Sequence, residues 1–192
     1  MKLDKTLAAA MARESPELLD LARAMLRWDA ATGQFWWKVR ASMRVRAGDP
    51  AGFVDPKGYL QIKIRGVTVL AHRLLWALEH GFWPPMFIDH RSTRKDERGI
   101  GNLRLATKSQ NMANRAGWGV KNGRHKGVTR KRHRNGSVAF HATIQVNGHR
   151  RHLGSFETPD AAADAYRAAA RACHGPFAFN AAQEKALLEV AR

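Results

Sequence analysis

Residues 88–115 read IDHRSTRKDERGIGNLRLATKSQNMANR. Asp89 stands beside His90, Asn102 follows His90 by twelve residues, and Asn111 follows Asn102 by nine. Hydrolysis of a phosphodiester takes a base that activates water and an oxygen-ligated cation that stabilises the departing oxyanion. His90 has the chemistry of the base. Asp89 and the amide oxygen of Asn111 are hard donors suited to Mg²⁺ or Mn²⁺. Met86–His90 reads as a strand that carries Asp89 and His90 to its end. Residues 91–101 form a charged loop, and Asn102–Thr107 reads as a second strand. Thr107 or Ser109 can cap a helix from Gln110 to about Arg115 that carries Asn111. Asn114 lies one turn further on a similar face of that helix.

Outward on the N-terminal side, Ala71–His80 reads as a helix closed by Gly81 and Pro84-Pro85, with Leu74, Leu75 and Leu78 as its buried stripe. His72, in its first turn, reads as structural. Tyr59–Arg65 alternates apolar and polar side chains, as a half-buried strand does; Gly66 turns the chain and Val67–Leu70 returns. Leu26–Trp28 and Gln34–Lys38 read as a hairpin about Gly33. Trp28, Trp36 and Trp37 read as packing a small sheet, with base stacking the other reading. Between these hairpins, residues 39–57 are polar, and Arg40, Arg44 and Arg46 either touch phosphate or face water. Ser15-Pro16-Glu17 starts a helix on which Leu18, Leu21 and Met25 share a face. Residues 1–14 read as weakly helical or frayed.

On the C-terminal side, 117–124 reads as a linker, with Lys121, Arg124 and Lys126 along a DNA backbone. Three strands follow, Lys126–His133, Val138–Val146 and His149–Phe156, joined by the turns Asn135-Gly136 and Asn147-Gly148. Thr158 caps a helix from Ala161 to about Cys173. Its Ala161, Ala165, Ala168 and Ala169 are expected against the sheet, with Tyr166 filling the gap. Residues 181–192 read as a tail.

The formal net charge of +17 over 192 residues is concentrated: residues 116–156 hold nine basic and no acidic side chains. Such a concentration favours a polyanionic partner. No basic amphipathic helix or lipidation motif accompanies it, which favours nucleic acid over a membrane. The one cysteine, Cys173, excludes an internal disulfide and a Cys-rich zinc site, so no structural zinc is expected; it reads as a small buried residue. No apolar run approaches a membrane span and no signal-like core appears, so a cytoplasmic setting is expected.

The segment from about Ala71 to Arg115 resembles the HNH homing-endonuclease family, in the variant with Asn as third motif residue. The residues carrying this are His72-Arg73-Leu74 with Trp76, Asp89-His90, Asn102-Leu103, and Gln110-Asn111 with Asn114-Arg115. The preceding hairpins are similar to the sheet that precedes the motif in that family. The resemblance implies a ββα-metal fold over about 86–115, with His90 as general base and Asp89 and Asn111 as metal ligands. Asn102 would hold the loop that orients His90. The nine-residue spacing favours Asn111 over Asn114.

Residues 125–180 resemble the plant ethylene-response-factor (Apetala-type) DNA-binding domain. The matching residues are Lys126-Gly127-Val128, Leu153-Gly154-Ser155-Phe156, Thr158, Ala162-Ala163, Ala165-Tyr166, Ala169, Gly175 and Asn180. That resemblance implies a sheet lying in the major groove. Phe140 stands where Trp is usual, and Thr129 and Thr143 where charged residues are frequent, so the binding mode carries over better than the base code. Candidate DNA contacts are Lys126, Arg130, Arg132, His141, Arg150 and Arg151, with Arg115.

The expectation is an α+β chain. N-terminal hairpins lead into a nuclease core (1–116), followed by the linker (117–124) and a three-stranded antiparallel sheet with one helix (125–180). The expected function is a Mg²⁺- or Mn²⁺-dependent, site-specific DNA endonuclease of nicking or homing type. It would act on double-stranded DNA as monomer or homodimer in a bacterial or phage-infected cell. The alternative is a catalytically inactive DNA-binding regulator. An RNA-binding protein is disfavoured, because no ribonucleoprotein aromatic motif appears on the strands.

Overall fold

Helix α2 (Pro16–Met25) begins where the sequence places its cap: the Ser15 hydroxyl accepts the Leu18 N–H at 3.2 Å and Pro16 opens the first turn. In this computed structural model, residues 5–116, 124–146, 148–180 and 182 are described. The chain divides between Ala106 and Thr107 into two compact units. The expected linker, apart from Arg124, and the expected tail, apart from Ala182, lie outside the described residues. Among the described residues the fold is mixed α and β, with small antiparallel sheets and five α-helices.

In the first unit α2 is preceded by α1 (Lys5–Met11). Of the stretch expected to be weakly helical or frayed, residues 5–11 form this helix, and a tertiary contact holds the chain just after it. Glu14, just after α1, makes a buried ion pair with Arg73. Arg73 also donates to the carbonyls of Pro84 and Met86, at 2.7 and 2.6 Å. The buried stripe of α2 is Leu18, Leu19, Ala22 and Met25, whereas Leu21 is 39% exposed. Leu21 therefore belongs to the edge of the face and not to its centre, contrary to expectation.

Strands β1 (Leu26–Asp29) and β2 (Gln34–Trp37) form the expected hairpin. Asp29 accepts from the Ala31 N–H and the Thr32 hydroxyl, and Gly33 takes a positive φ of 67°. Trp37 is buried. Trp28 donates its indole N–H to Glu79 at 2.7 Å, and Trp36 lies beneath the Arg27 guanidinium. These contacts fit the packing reading of the three indoles.

Strands β3 (Phe53–Val54), β4 (Leu60–Ile64) and β5 (Val67–Leu70) make an antiparallel sheet in that order. The Asp55 carboxylate shapes its first turn, accepting the N–H groups of Lys57 and Tyr59 and the Gln61 amide. Helix α3 (Ala71–His80) follows and stops at Gly81, whose left-handed φ of 83° lets its N–H reach the Ala77 carbonyl. Leu26, Ile62, Ile64, Leu74 and Leu75 form the centre of the core. Truncating any one of them to Ala costs about 2–5 kcal/mol.

Strands β6 (Phe87–His90) and β7 (Leu103–Ala106) pair antiparallel, with a 3₁₀ turn at Ile100–Asn102 leading into β7. The loop between them is clasped by the tip of the β1–β2 hairpin. Ile100 N–H donates to the Ala30 carbonyl at 2.8 Å. A Cβ on Gly99 would collide with the Ala31 carbonyl oxygen, and one on Gly33 with the Arg98 backbone. The N-terminal hairpin is thus a structural part of the unit that carries Asp89 and His90.

The second unit opens with α4 (Lys108–Asn114), capped by Thr107. Thr107 and Gln110 each bond the other's backbone N–H, the reciprocal arrangement of a capping box. Strands β8 (Val128–Arg132), β9 (Val138–Val146) and β10 (His149–Phe156) form an antiparallel sheet in the order β10-β9-β8. Helix α5 (Pro159–His174) packs on it, capped by Thr158. Its buried face is Ala162, Ala163, Tyr166 and Ala170, with Ala161 and Ala168 exposed. This corrects the expected face at Ala161 and Ala168, while Ala165 and Ala169 are half-buried and Ala169 packs against the Tyr166 cluster: the face set on the sheet is centred on Ala162, Tyr166 and Ala170. Tyr166 lies over Gly127, where a Cβ would strike the ring. Cys173, expected buried, is exposed: it lies nearly one turn beyond Ala170, the last buried position of the helix.

Candidate functional site

Strand β6 ends in two buried polar residues, Asp89 (5% exposed) and His90 (7%). The β6–β7 register sets Asp89 opposite Arg104. Arg104 Nε donates to Asp89 Oδ2 at 2.8 Å, and Nη2 lies 2.8 Å from the same oxygen. A charge-assisted contact of this kind fixes a buried carboxylate more firmly than a neutral one would.

His90 sits among rings. The His72 ring centroid is 5.2 Å away, edge-on at 72°, and that of Tyr59 is 6.4 Å away. Tyr59 also lies 5.6 Å from His72. The Lys95 ammonium covers the outer side of Tyr59 at 3.9 Å and donates to the Lys57 carbonyl. Burial lowers the pKa of His90 below the ordinary histidine value; Asp89 opposes this, and Lys95 and Arg98 add to it. Burial likewise holds His72 well below that value, helped by His90, Arg73 and Lys95. Neutral imidazole keeps a lone pair for accepting a proton.

Asn102 closes the loop that follows His90. Its Oδ1 accepts the Ser92 N–H at 2.9 Å and its Nδ2 donates to the Glu97 carbonyl at 2.7 Å. Its own carbonyl takes the Arg91 N–H, while the Thr93 N–H returns to the His90 carbonyl. That last bond holds Thr93 at φ 67°, an unusual conformation for a β-branched residue. Asp89, His90 and Asn102 therefore stand together in the first unit. Asn111 is half-buried on α4 of the second unit, where Asn114 is fully buried and Arg115 exposed.

Strand parity sorts the C-terminal candidates. Directly paired residues share a face, and neighbours along a strand alternate. Ala142 and Ile144 are buried on the helix side. Arg130, paired with Phe140, Arg132 with Val138 and Arg151 with Ile144 belong to that same side. His141, paired with Thr129, and Arg150, paired with Gln145, belong to the open side, with Lys131 and His152. The His141 and His152 rings are 5.3 Å apart, and Arg150 Nη2 reaches Thr143 Oγ1 at 3.4 Å. Burial lowers the pKa of His141, with Lys131, His152 and His133 adding to the effect. The structure thus gathers His141 and Arg150 and places Arg130, Arg132 and Arg151 on the other side. Lys126 points inward: its ammonium donates to the carbonyls of Ala113 and Arg115 and lies over the Phe179 ring.

Sequence reasoning missed Lys131 and His152, which strict period-two counting on β8 and β10 could have supplied. It also missed the roles of Tyr59, Lys95 and Arg104. Antiparallel register through the β6–β7 loop could have found Arg104; nothing local in the sequence signals the other two.

Residues 69–113 match the HNH endonuclease family. The matched segment holds Asp89, His90, Asn102 and Asn111, together with His72 and Arg104. The similarity supports a nuclease, a hydrolase with DNA as substrate, and HNH nucleases generally depend on a divalent metal. No curated protein and no solved structure matches the chain. No helix among the described residues is long and apolar enough to cross a membrane.

Proposed function

We propose that this protein is a divalent-metal-dependent DNA endonuclease that cuts one strand per active site, with His90 as general base. The observation that carries the reading is the buried Asp89-His90 pair at the end of β6, with Asn102 bracing the loop behind it. His90 takes a proton from the water that attacks phosphorus. Burial keeps the ring neutral at working pH, so it is ready to accept. Asn102 keeps the loop closed and His90 aimed, and Arg104 holds the Asp89 carboxylate in one orientation.

Among the described residues no three His, Cys, Asp or Glu side chains gather into a metal cage. Asp89 with an amide oxygen fits a hard ion such as Mg²⁺ or Mn²⁺, which typically takes one or two protein oxygens and completes its shell with phosphate and water. When bound, that ion supplies Lewis-acid stabilisation of the departing 3′ oxygen. Asn111 is our choice for the amide donor. It keeps the nine-residue spacing from Asn102, and it is half-buried where Asn114 is fully enclosed. The resemblance implies 5′-phosphate and 3′-hydroxyl products.

The second unit selects and grips double-stranded DNA in this reading. We assign contact to the open side of its sheet, through Lys131, His141, Arg150 and His152; Arg130, Arg132 and Arg151, on the helix side, are left out of that surface. An arginine bidentate to guanine discriminates by about 1–3 kcal/mol, whereas phosphate contacts position the duplex. The test is supercoiled plasmid incubated with protein and Mg²⁺, Mn²⁺ or chelator. Open circles that need metal support the reading. DNA retarded on a gel without conversion, on the plasmid and on DNA flanking the gene, supports a non-cutting regulator instead.

A further inference from the structure

The first unit carries a second feature that the cutting chemistry leaves unused. A cavity of about 470 Å³ is lined by Met25, Trp37, Val45, Phe53, Lys63 and Arg65, among others. Neither Asp89, His90 nor Asn102 lines it, and no acidic residue does. Its volume lies in the range of small-molecule pockets, roughly 300–1,000 Å³.

Three observations point to the same class of ligand. The Lys63 and Arg65 side chains are exposed, and among the described residues neither makes a hydrogen bond or an ion pair. Arg65 also sits at φ 47° beside Gly66 at φ 90°, in a tight turn where Asn or Gly is the low-strain choice. The chain spends strain to carry a cation at that point. Apolar exposure is concentrated here as well. Of the seven large apolar side chains exposed among the described residues, Phe53 lines the cavity, and Val39 and Met43 belong to the 37–45 segment that contributes Trp37, Ala41, Ser42 and Val45 to its wall. Unpaired cations beside an aromatic and thioether surface recognise an anion that carries a flat ring.

We infer that this cavity receives an unstacked nucleotide of the substrate strand, its base on the exposed Phe53 ring with the edge of the buried Trp37 as the cavity's inner wall, and its phosphate on Lys63 and Arg65. The inference rests on the nuclease reading for the identity of the strand. It also sets a distance. Tyr59, beside His90, and Lys63 to Arg65 lie four to six residues apart along β4 and its turn. At ~3.3 Å per residue the two sites are roughly 13–20 Å apart, or about four to six base steps of duplex. The nucleotide taken up is therefore not the one being cut.

The test is titration of the ¹⁵N-labelled full chain with dAMP, with dTMP and with inorganic phosphate, followed by NMR. The account expects the Trp37 indole N–H and the Gly52 amide to shift with both nucleotides and not with phosphate, and the Gly66 amide, beside the phosphate position, to shift more with nucleotides than with phosphate. Lys63→Ala with Arg65→Ala should weaken nucleotide binding about tenfold or more. Phe53→Ala, at an exposed position that leaves the core intact, should weaken it several-fold. Wild type should also bind a duplex with a single-base bulge more tightly than the intact duplex, and the double variant should lose that preference. Shifts elsewhere, shifts equal with phosphate alone, or unchanged binding by the double variant would overturn the inference. Plasmid nicking is read separately on the same wild-type protein. Nicking without nucleotide shifts sinks the pocket alone, and shifts without nicking of either the plasmid or the DNA flanking the gene sink the nuclease reading alone.

Discussion

The end of β6 and the open side of the β8–β10 sheet both offer histidine and arginine, yet they hold them in opposite ways. At β6 the polar groups are cross-braced: Asp89 on Arg104, His90 against His72 and Tyr59, and Asn102 across its loop. On the sheet, Lys131, Arg150 and His152 are exposed, and His141 is half-buried. The first arrangement fixes a few atoms and spends stability to keep them dry. The second spreads positive charge over an exposed surface, the arrangement that suits a polyanion. Chemistry at a bond needs the former and grip on DNA the latter.

Changes at the buried end should be the most damaging to the fold. Arg104→Leu leaves the Asp89 carboxylate buried without its cation and should cost about 3–5 kcal/mol, read by denaturant unfolding. Arg73→Ala should cost a similar amount by stranding Glu14. An unchanged midpoint for either variant would show that the buried pairs are not what holds this unit. Gly99→Ala should act next in size. Its Cβ collides with the Ala31 carbonyl, so the hairpin tip must release the loop, and nicking should fall with only a modest loss of stability. Nicking at the wild-type rate would separate the hairpin from the site.

On the sheet, single changes should be small and electrostatic. Lys131→Ala or Arg150→Ala should weaken DNA binding with little effect on unfolding and reduce the slope of log K against log salt by about one per lost phosphate contact. Loss of fold on either change would contradict the surface role.

Acid should push the two regions in opposite directions. His72 is held neutral by burial, so its pKa is depressed in the folded state. The unfolded chain then takes up the extra proton, and stability is lost as pH falls below the ordinary histidine value of about 6.5. His141 also has a depressed pKa in the free protein, from burial and neighbouring cations. Phosphates laid against it would raise that pKa, so binding takes up protons and DNA affinity should grow over the same fall in pH. Gel retardation and thermal unfolding across pH 5.5–7.5 would read both trends, and parallel trends would contradict the contrast.

Much of this was legible in the sequence because local rules decided it. Ser15-Pro16, Gly33, Gly81 and Thr158 mark ends and turns whose geometry belongs to those residues alone. Asp89, His90 and Asn102 were legible by spacing, since one short hairpin brings them together. The rest depended on partners distant in the chain. Glu14 finds Arg73 across 59 positions, and Tyr59 reaches His90 only once the β4–β5 sheet and α3 have packed. On the second sheet the basic residues were legible but their sides were not. Arg130 and Lys131 differ by one position and face opposite ways, so a list chosen for charge mixes both faces.

The most direct test of the central claim is His90→Ala, measured beside wild type for plasmid nicking with Mg²⁺ and for DNA retardation. The account predicts that nicking falls by about 10²–10⁴, the range for loss of a general base, while retardation is unchanged. Nicking by His90→Ala at the wild-type rate would contradict it.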